Sequence, residues 1–184
     1  MTLRDLKVDP YWSLFLDRDG VINRRIVDGY VKTWEELGFL PGVIEAFQVF
    51  SQRFGAIVVV SNQQVVGKGL MTAADVEHIH ERMKQEITMA GGRADAFYFA
   101  PQLSGDRSIM RKPGIGMALK ARKDFPQIRF RYSIMAGDSV SDMIFGKRTG
   151  MVTVLIADNP DLARKYPELI DFRCSGLDEL ARQI

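Results

Sequence analysis

The sequence predicts an α/β domain of the doubly wound, Rossmann-like kind, a mainly parallel sheet with helices on both faces. Three observations carry that expectation. Short runs rich in Val, Ile, Leu and Phe alternate with longer stretches of helical period, as happens when parallel strands are joined by crossover helices. The runs are apolar throughout, which marks strands buried on both faces. Three of them end in polar clusters, Asp17-Arg18-Asp19-Gly20, Ser61-Asn62 and Gly137-Asp138, and in open parallel sheets ligands bind just outside the C-terminal strand ends.

Trp12 to Leu16 reads as the first strand, with Gly20 breaking the chain beyond it. Leu40-Pro41-Gly42 introduces a helix whose apolar side carries Val43, Ile44, Phe47 and Phe50 and which stops near Gly55; proline suits a helix entrance. Ala56 to Val60 is a second strand, ending at Ser61-Asn62. Thr72-Ala73-Ala74-Asp75 has the form of a capping box and opens a helix through about Met89, closed by Gly91-Gly92. A third strand spans Ala96 to Phe99, a polar loop runs from Pro101 to Pro113, and a helix follows from Gly114 to about Lys123. Tyr132 to Ala136 is a strand, Ser139 to Thr149 a helix, and Val152 to Ile156 the last strand. Residues 158–184 are less regular, with a terminal helix over Leu177 to Arg182.

A chain of 184 residues with 46% hydrophobic content builds one sizeable core, so a single domain is expected over residues 1–184, with its motifs in about 12–157. The 25 Lys and Arg against 23 Asp and Glu give a net charge of +2, which supplies no global attraction to nucleic acid or to an anionic membrane. Cys174 is the single cysteine, which rules out an internal disulfide and a multi-cysteine zinc site and fits a reducing compartment. Met1 to Tyr11 shows neither a signal peptide nor a membrane span. A cytoplasmic protein, monomeric or a small homo-oligomer, is expected.

The polar clusters suit phosphate chemistry. Hydrolysis of a phosphate monoester requires accelerations of up to about 10²¹, so charge neutralisation and covalent catalysis must combine. Asp17, ionised at neutral pH, is the candidate nucleophile, because carboxylates form acyl-phosphate intermediates. Asp19, two residues on, is placed to protonate the leaving oxygen and then activate water. Asp138 and Asp142 add hard oxygen ligands, and with no cluster of soft sulfur ligands magnesium is the natural cation. Lys112 brings a compact positive charge to the phosphate or the nucleophile, and Ser61 with nearby backbone N–H groups suits the phosphoryl oxygens.

These residues resemble the haloacid dehalogenase-like phosphatases, within them the subgroup of bacterial histidinol-phosphate and heptose-bisphosphate phosphatases. The resemblance covers about residues 12–157. It rests on Phe15-Leu16-Asp17-Arg18-Asp19-Gly20-Val21-Ile22-Asn23, Asp28-Gly29-Tyr30-Val31, Phe39-Leu40-Pro41-Gly42-Val43, Ser61-Asn62-Gln63, Arg111-Lys112-Pro113 and Gly137-Asp138-Ser139-Val140-Ser141-Asp142-Met143. It implies Asp17 as nucleophile, Asp19 as general acid and base, Ser61 in phosphate binding, Lys112 in charge stabilisation, and Asp17, Asp138 and the Asp19 main-chain carbonyl as magnesium ligands. Asn62 and Arg111 match substrate-touching positions. Asp142 matches a position that either orients Lys112 or helps the metal site. The implied partner is a small phosphorylated metabolite, a sugar phosphate or bisphosphate or histidinol phosphate, with no nucleic acid or membrane expected.

Two stretches depart from the pattern. Relatives acting on heptose bisphosphate often carry a zinc loop rich in Cys and His before Arg-Lys-Pro, whereas residues 100–110 here contain neither. After Ser61-Asn62 the chain reads Gln63-Gln64-Val65-Val66-Gly67-Lys68-Gly69 in place of the usual Gln-Ser-Gly-Ile-Ala-Arg-Gly, which removes one glycine and keeps a basic residue. The intervals between motifs are too short for a separate cap domain. Specificity then falls to Arg24, Arg25, Tyr30, Trp34, Lys68, Arg107 and Arg111, the several cations among them suited to a second anionic group.

Other features read more plainly. His78 and His80 do not share a helical face and are expected at the surface or rim; Cys174 is expected as a buried thiol without chemistry, and Trp12 as packing for the sheet end. Trp34 fits either the site entrance or the core. Two rival functions remain in view. A phospho-acceptor signalling domain also sets an aspartate, magnesium and a lysine at strand ends, but Asp19 favours turnover. A nucleic-acid 3′-end phosphatase shares the Ser-Asn-Gln and Lys-Pro elements, while the near-neutral charge argues against it.

Overall fold

In the computed structural model, which describes residues 2–184, six strands form one sheet: β1 (Ser13–Leu16), β2 (Ala56–Asn62), β3 (Ala96–Ala100), β4 (Ser133–Gly137), β5 (Val152–Ile156) and β6 (Phe172–Cys174). Their spatial order is β3-β2-β1-β4-β5-β6 and every pairing is parallel. The chain direction across the sheet reverses at β1, so β1 and β4 flank the topological switch point where this architecture opens a crevice. The helices are α1 (Val43–Arg53), α2 (Gln64–Gly67), α3 (Ala73–Met89), α4 (Gly116–Asp124), α5 (Val140–Thr149), α6 (Asp161–Lys165) and α7 (Leu177–Gln183). Among the described residues, no helix is long and apolar enough to cross a membrane.

Alternation along the strands splits the core into two layers. Leu14 and Leu16 of β1, Ile57 and Val59 of β2, and Ile134 and Ala136 of β4 face one side, where α1, α3 and α7 cover them with Val43, Phe47, Phe50, Val76, Met83, Ile87 and Leu180. Phe15, Val58, Val60 and Met135 face the other, against Met117, Ala118 and Ala121 of α4 and Phe145 of α5. Helices therefore lie on both faces, as the apolar runs implied. α3 begins at a true capping box, with Thr72 Oγ1 accepting from the Asp75 N–H at 3.1 Å and Asp75 Oδ2 accepting from the Thr72 N–H at 2.8 Å.

Several elements differ from the sequence expectation. α1 starts after Gly42, whose φ is 71°, so Pro41 precedes the cap instead of entering the first turn. β2 continues through Ser61 and Asn62, because both pair with β3 at Phe99 and Ala100. Residues 158–184 contain α6 and the short strand β6, which pairs with β5 from Val154 to Ile156. Three residues with Arg173 exposed at their centre carry too little apolar signal to reveal a strand that exists through its neighbour. His78 is exposed, but His80 is buried at 4% exposure, since its side of α3 faces β3. Cys174 is buried, and Trp12 is buried with its ring 5.8 Å from Tyr132. Trp34 is half-buried, packed on Phe39 and beneath the Arg82 guanidinium.

Phe47 is fully buried and begins an aromatic series with Phe50 and Phe54, at centroid separations of 6.2 and 6.0 Å. Phe47→Ala is expected to destabilise the fold by about 3–5 kcal/mol, read as a lower urea midpoint at unchanged slope; a loss under about 1 kcal/mol would contradict the packing described.

Candidate active site

Three strand ends deliver the polar clusters to one crevice. A cavity of about 600 Å³ is lined by Asp17, Asp19, Arg25, Tyr30, Ser61, Asn62, Lys68, Arg111 and Lys112, among others. Asp17 follows β1 and stays in the sheet register, its N–H donating to the Ala136 carbonyl at 3.0 Å. Asp17 Oδ1 accepts from the Arg18 N–H at 2.7 Å and lies 2.8 Å from Lys112 Nζ.

The Lys112 ammonium is the hub of the site. It is 2% exposed, and its three donors are spent on Asp17 Oδ1 at 2.8 Å, Asp142 Oδ1 at 2.6 Å and the Val60 carbonyl at 2.7 Å. Burial pulls its pKa down, and the charges of Asp142 and Asp17 more than offset this, so it ends above the ordinary lysine value. Asp142 is itself fixed by the start of α5. As the third residue of a capping box it accepts from the Ser139 N–H at 3.0 Å and the Ser139 hydroxyl at 2.6 Å through Oδ2, leaving Oδ1 for Lys112. A Cβ at Gly137 would collide with the Asp142 side chain, so only glycine lets the β4 end approach this closely.

Asn62 holds the lysine's backbone. Its Oδ1 accepts from the Lys112 N–H at 2.9 Å and its Nδ2 donates to the Lys112 carbonyl at 3.0 Å, so the side chain extends the β2 edge to the segment that bears the lysine. Ser61, 1% exposed, accepts at Oγ from Gln63 Nε2 at 2.7 Å. Arg111 lines the cavity while donating to the Gln102 carbonyl at 3.0 Å. Of the specificity candidates, Arg25, Tyr30, Lys68 and Arg111 line this cavity. Arg107 lines an adjoining one of about 540 Å³ shared with Asn62, Arg111 and Arg148. Arg24 and Trp34 line neither.

Asp19 is gripped from several directions. It accepts from Arg18 Nε at 3.2 Å, Arg18 Nη2 at 3.0 Å, Asn23 Nδ2 at 3.0 Å and Gln63 Nε2 at 2.7 Å. Burial would push its carboxyl up, but the Arg18 charge and these hydrogen bonds together outweigh it and hold the pKa below the usual carboxylate range. Arg18, Gln63 and Asn23 were not singled out in the sequence. The available signal is positional: Arg18 lies between two acids at a strand end, where alternation turns it away from the side of Asp17.

Asp17, Asp138 and Asp142 each offer a carboxylate oxygen, all within 4.8 Å of one another. Burial, then the charge of Asp142, lifts Asp17 to about 7. Burial likewise lifts Asp138 to about 6, despite Arg25 Nη2 at 2.9 Å from its Oδ1. The same Arg25 nitrogen donates to the Asp19 carbonyl at 3.2 Å. Crowded hard oxygens of this kind fit a divalent cation of the magnesium type, for which Asp17 and the two groups that Arg25 contacts, Asp138 and the Asp19 carbonyl, are the candidate ligands, while Asp142 serves Lys112. Both raised carboxyls lose stability as pH climbs from about 4 through their folded pKa values, and a bound cation relieves that loss. Magnesium chloride is therefore expected to raise the melting temperature more at about pH 8 than at about pH 5, where protons compete for the carboxylates; an equal or larger rise at the lower pH would contradict the assignment.

The geometry has counterparts among known proteins. The family described as polynucleotide kinase 3 phosphatase matches residues 23–169. The D-glycero-alpha-D-manno-heptose-1,7-bisphosphate 7-phosphatase of Mycobacterium bovis is 42% identical over 132 residues, 72% of this chain and 70% of the relative. The D-glycero-beta-D-manno-heptose-1,7-bisphosphate 7-phosphatase of Salmonella typhi is 35% identical over 180 residues, 94% of each chain. The crystal structure of D,D-heptose 1.7-bisphosphate phosphatase from B. bronchiseptica, complexed with magnesium and phosphate, superposes with a TM-score of 0.81 at 27% identity, covering 94% of this chain and 97% of that one.

Proposed function

The chain belongs to the polynucleotide kinase 3 phosphatase family of haloacid dehalogenase-like phosphatases, and from that premise we propose that it hydrolyses a sugar bisphosphate of the heptose class with magnesium as cofactor. The observation that carries the reading is the Asp17 carboxylate at the switch point of the sheet, held through Oδ1 by Lys112 and facing a cavity shared with Asp19, Ser61 and Arg111. The contacts to the Asp17 carboxylate go to Oδ1, which leaves Oδ2 for attack. The heptose names of the relatives favour a sugar phosphate over histidinol phosphate.

In the first step Asp17 Oδ2 bonds to phosphorus as the phosphorus–oxygen bond to the sugar breaks, and the departing alkoxide takes a proton from Asp19. Asp19 acts here in its protonated form; the phosphate dianion arriving beside it raises its proton affinity. In the second step a water gives its proton to Asp19 and attacks phosphorus, and the bond to Asp17 breaks to release inorganic phosphate. Lys112 neutralises Asp17 and keeps it aimed, with Asp142 fixing the lysine. Ser61 and nearby N–H groups hold phosphoryl oxygens, and Arg111 faces the remainder of the substrate. Magnesium, when bound, reduces the repulsion between carboxylate and phosphate.

A second reading, hydrolysis of a nucleic-acid 3′-phosphate, has the family match in its favour. The net charge of +2 offers little electrostatic attraction to a polyanion. A phosphate-release screen with magnesium across both anomers of D-glycero-D-manno-heptose 1,7-bisphosphate, other sugar phosphates, histidinol phosphate, nucleotides and a 3′-phosphorylated oligonucleotide separates the readings. Turnover is expected on a sugar bisphosphate and absent in Asp17→Asn. Turnover confined to the oligonucleotide would establish the second reading, and an active Asp17→Asn would refute the nucleophile.

A further inference from the structure

Among the described residues Arg18 is the largest fully buried side chain, at 1% exposure, yet it bears a permanent charge. A guanidinium is removed from water at this cost only where its donors are met. Its Nε and Nη2 fork onto the two oxygens of Asp19 at 3.2 and 3.0 Å, Nη2 also reaches Gln63 Oε1 at 3.2 Å, and Nη1 meets His80 Nε2 at 3.3 Å. His80 comes from α3, far from the cluster in sequence. Its ring is stacked on Phe97 of β3 at 5.1 Å and meets Phe99 edge-on at 5.9 Å. Burial, then the Arg18 charge, draws the imidazole pKa down to about 3, so the ring is neutral and Nε2 accepts from the guanidinium.

The geometry points to His80 and Arg18 as positioning residues for the acid–base step: His80, clamped by the aromatic side chains of β3, orients the Arg18 fork, and the fork fixes the Asp19 carboxylate towards the leaving oxygen. The inference rests on the acid–base role of Asp19 given above. Arg18 grips both Asp19 oxygens from one rigid planar group, whereas Asn23 and Gln63 hold one oxygen each from separate side chains, so the fork sets the carboxylate plane more tightly than they do. General acid–base catalysis requires the acid within hydrogen-bond reach of the atom it protonates. A neutral imidazole suits the outer position because it accepts from Arg18 without adding a second positive charge. A residue serving only to fill space there would need no acceptor.

The test compares leaving groups. A sugar alkoxide requires a proton to depart, whereas 4-nitrophenolate departs without one, so misplacing the acid slows leaving-group departure from the first substrate selectively; hydrolysis of the aspartyl phosphate is common to both, so the single-turnover rate of leaving-group release is read with enzyme in excess. His80→Leu removes the acceptor, His80→Gln keeps one, and Arg18→Lys keeps the charge but loses the fork. On D-glycero-D-manno-heptose 1,7-bisphosphate, His80→Leu and Arg18→Lys are expected to lower that rate by about tenfold or more with substrate affinity within about twofold. On 4-nitrophenyl phosphate the loss in the same rate stays within about threefold, and His80→Gln recovers most of the rate on the sugar. Equal losses in this rate on the two substrates, an unchanged rate in His80→Leu, or no recovery in His80→Gln would overturn the inference. Thermal melts identify a variant that does not fold, in which case its partner decides; collapse of both would make the pair structural and also overturn it. Asp19→Asn is the control. If it separates the two substrates while His80→Leu and Arg18→Lys do not, this inference alone fails; if it does not separate them, the acid–base reading of Asp19 fails with it.

Discussion

The site is organised around one buried ammonium. Lys112 Nζ lies between the Asp17 and Asp142 carboxylates with the Val60 carbonyl as its third acceptor, and each neighbouring feature supports that arrangement. Burying an ion costs several kcal/mol, and breaking a buried pair by removing one partner costs about 3–5 kcal/mol because the other charge is left uncompensated. The two carboxylates and the lysine therefore depend on one another, and all three depend on the segments that carry them. Asn62 ties the lysine's backbone to β2, Ser139 ties Asp142 to the start of α5, and Asp17 stays in register with β4. The sheet holds the three parts of this triad in place, although they come from distant parts of the chain.

Charge distribution then divides the labour. On one side of Asp17, Lys112 neutralises Oδ1. On the other, Asp138 and the Asp19 carbonyl face Arg25, a half-exposed cation at oxygens suited to a metal. The carboxylates nearest that point have raised proton affinities, to about 7 for Asp17 and about 6 for Asp138, whereas Asp19, inside the Arg18 grip, has a lowered one. Environments that push neighbouring carboxyls in opposite directions are how one cluster assigns different roles to the same side chain.

Much of this was legible in the sequence. The apolar runs give strands buried on both faces, and the polar residues that close them fall at the strand ends where the cavity lies, because period-two alternation and parallel pairing leave few other arrangements. The helix cap at Thr72 was readable from Thr72 and Asp75 alone, whereas Ser139, expected as the first residue of its helix, is that helix's cap. The partnership of Asp142 with Lys112 was left open, because the sequence does not say which way a capping carboxylate's second oxygen turns. Less legible were features that depend on tertiary neighbours. β6 is a strand because β5 offers an edge. His80 is buried because α3 turns that face towards Phe97 and Phe99. Arg18 lies between two acids in sequence, and it is a fully buried charge through contacts from Gln63, just after β2, and His80 of α3. Asn62 illustrates the same gap, since an amide suited by type to touch a ligand has both its hydrogen-bonding ends on the Lys112 main chain.

The central claim is that Asp17 carries the phosphoryl group between the two half-reactions. Acid quenching during turnover of a sugar bisphosphate, followed by borohydride reduction and peptide mass spectrometry, tests it directly, because an acyl phosphate is reduced to the corresponding alcohol and a free carboxylate is not. The account predicts homoserine at position 17, appearing only when substrate is present. Inorganic phosphate released in the first turnover with Asp17 unmodified, or modification of a different residue, would contradict it.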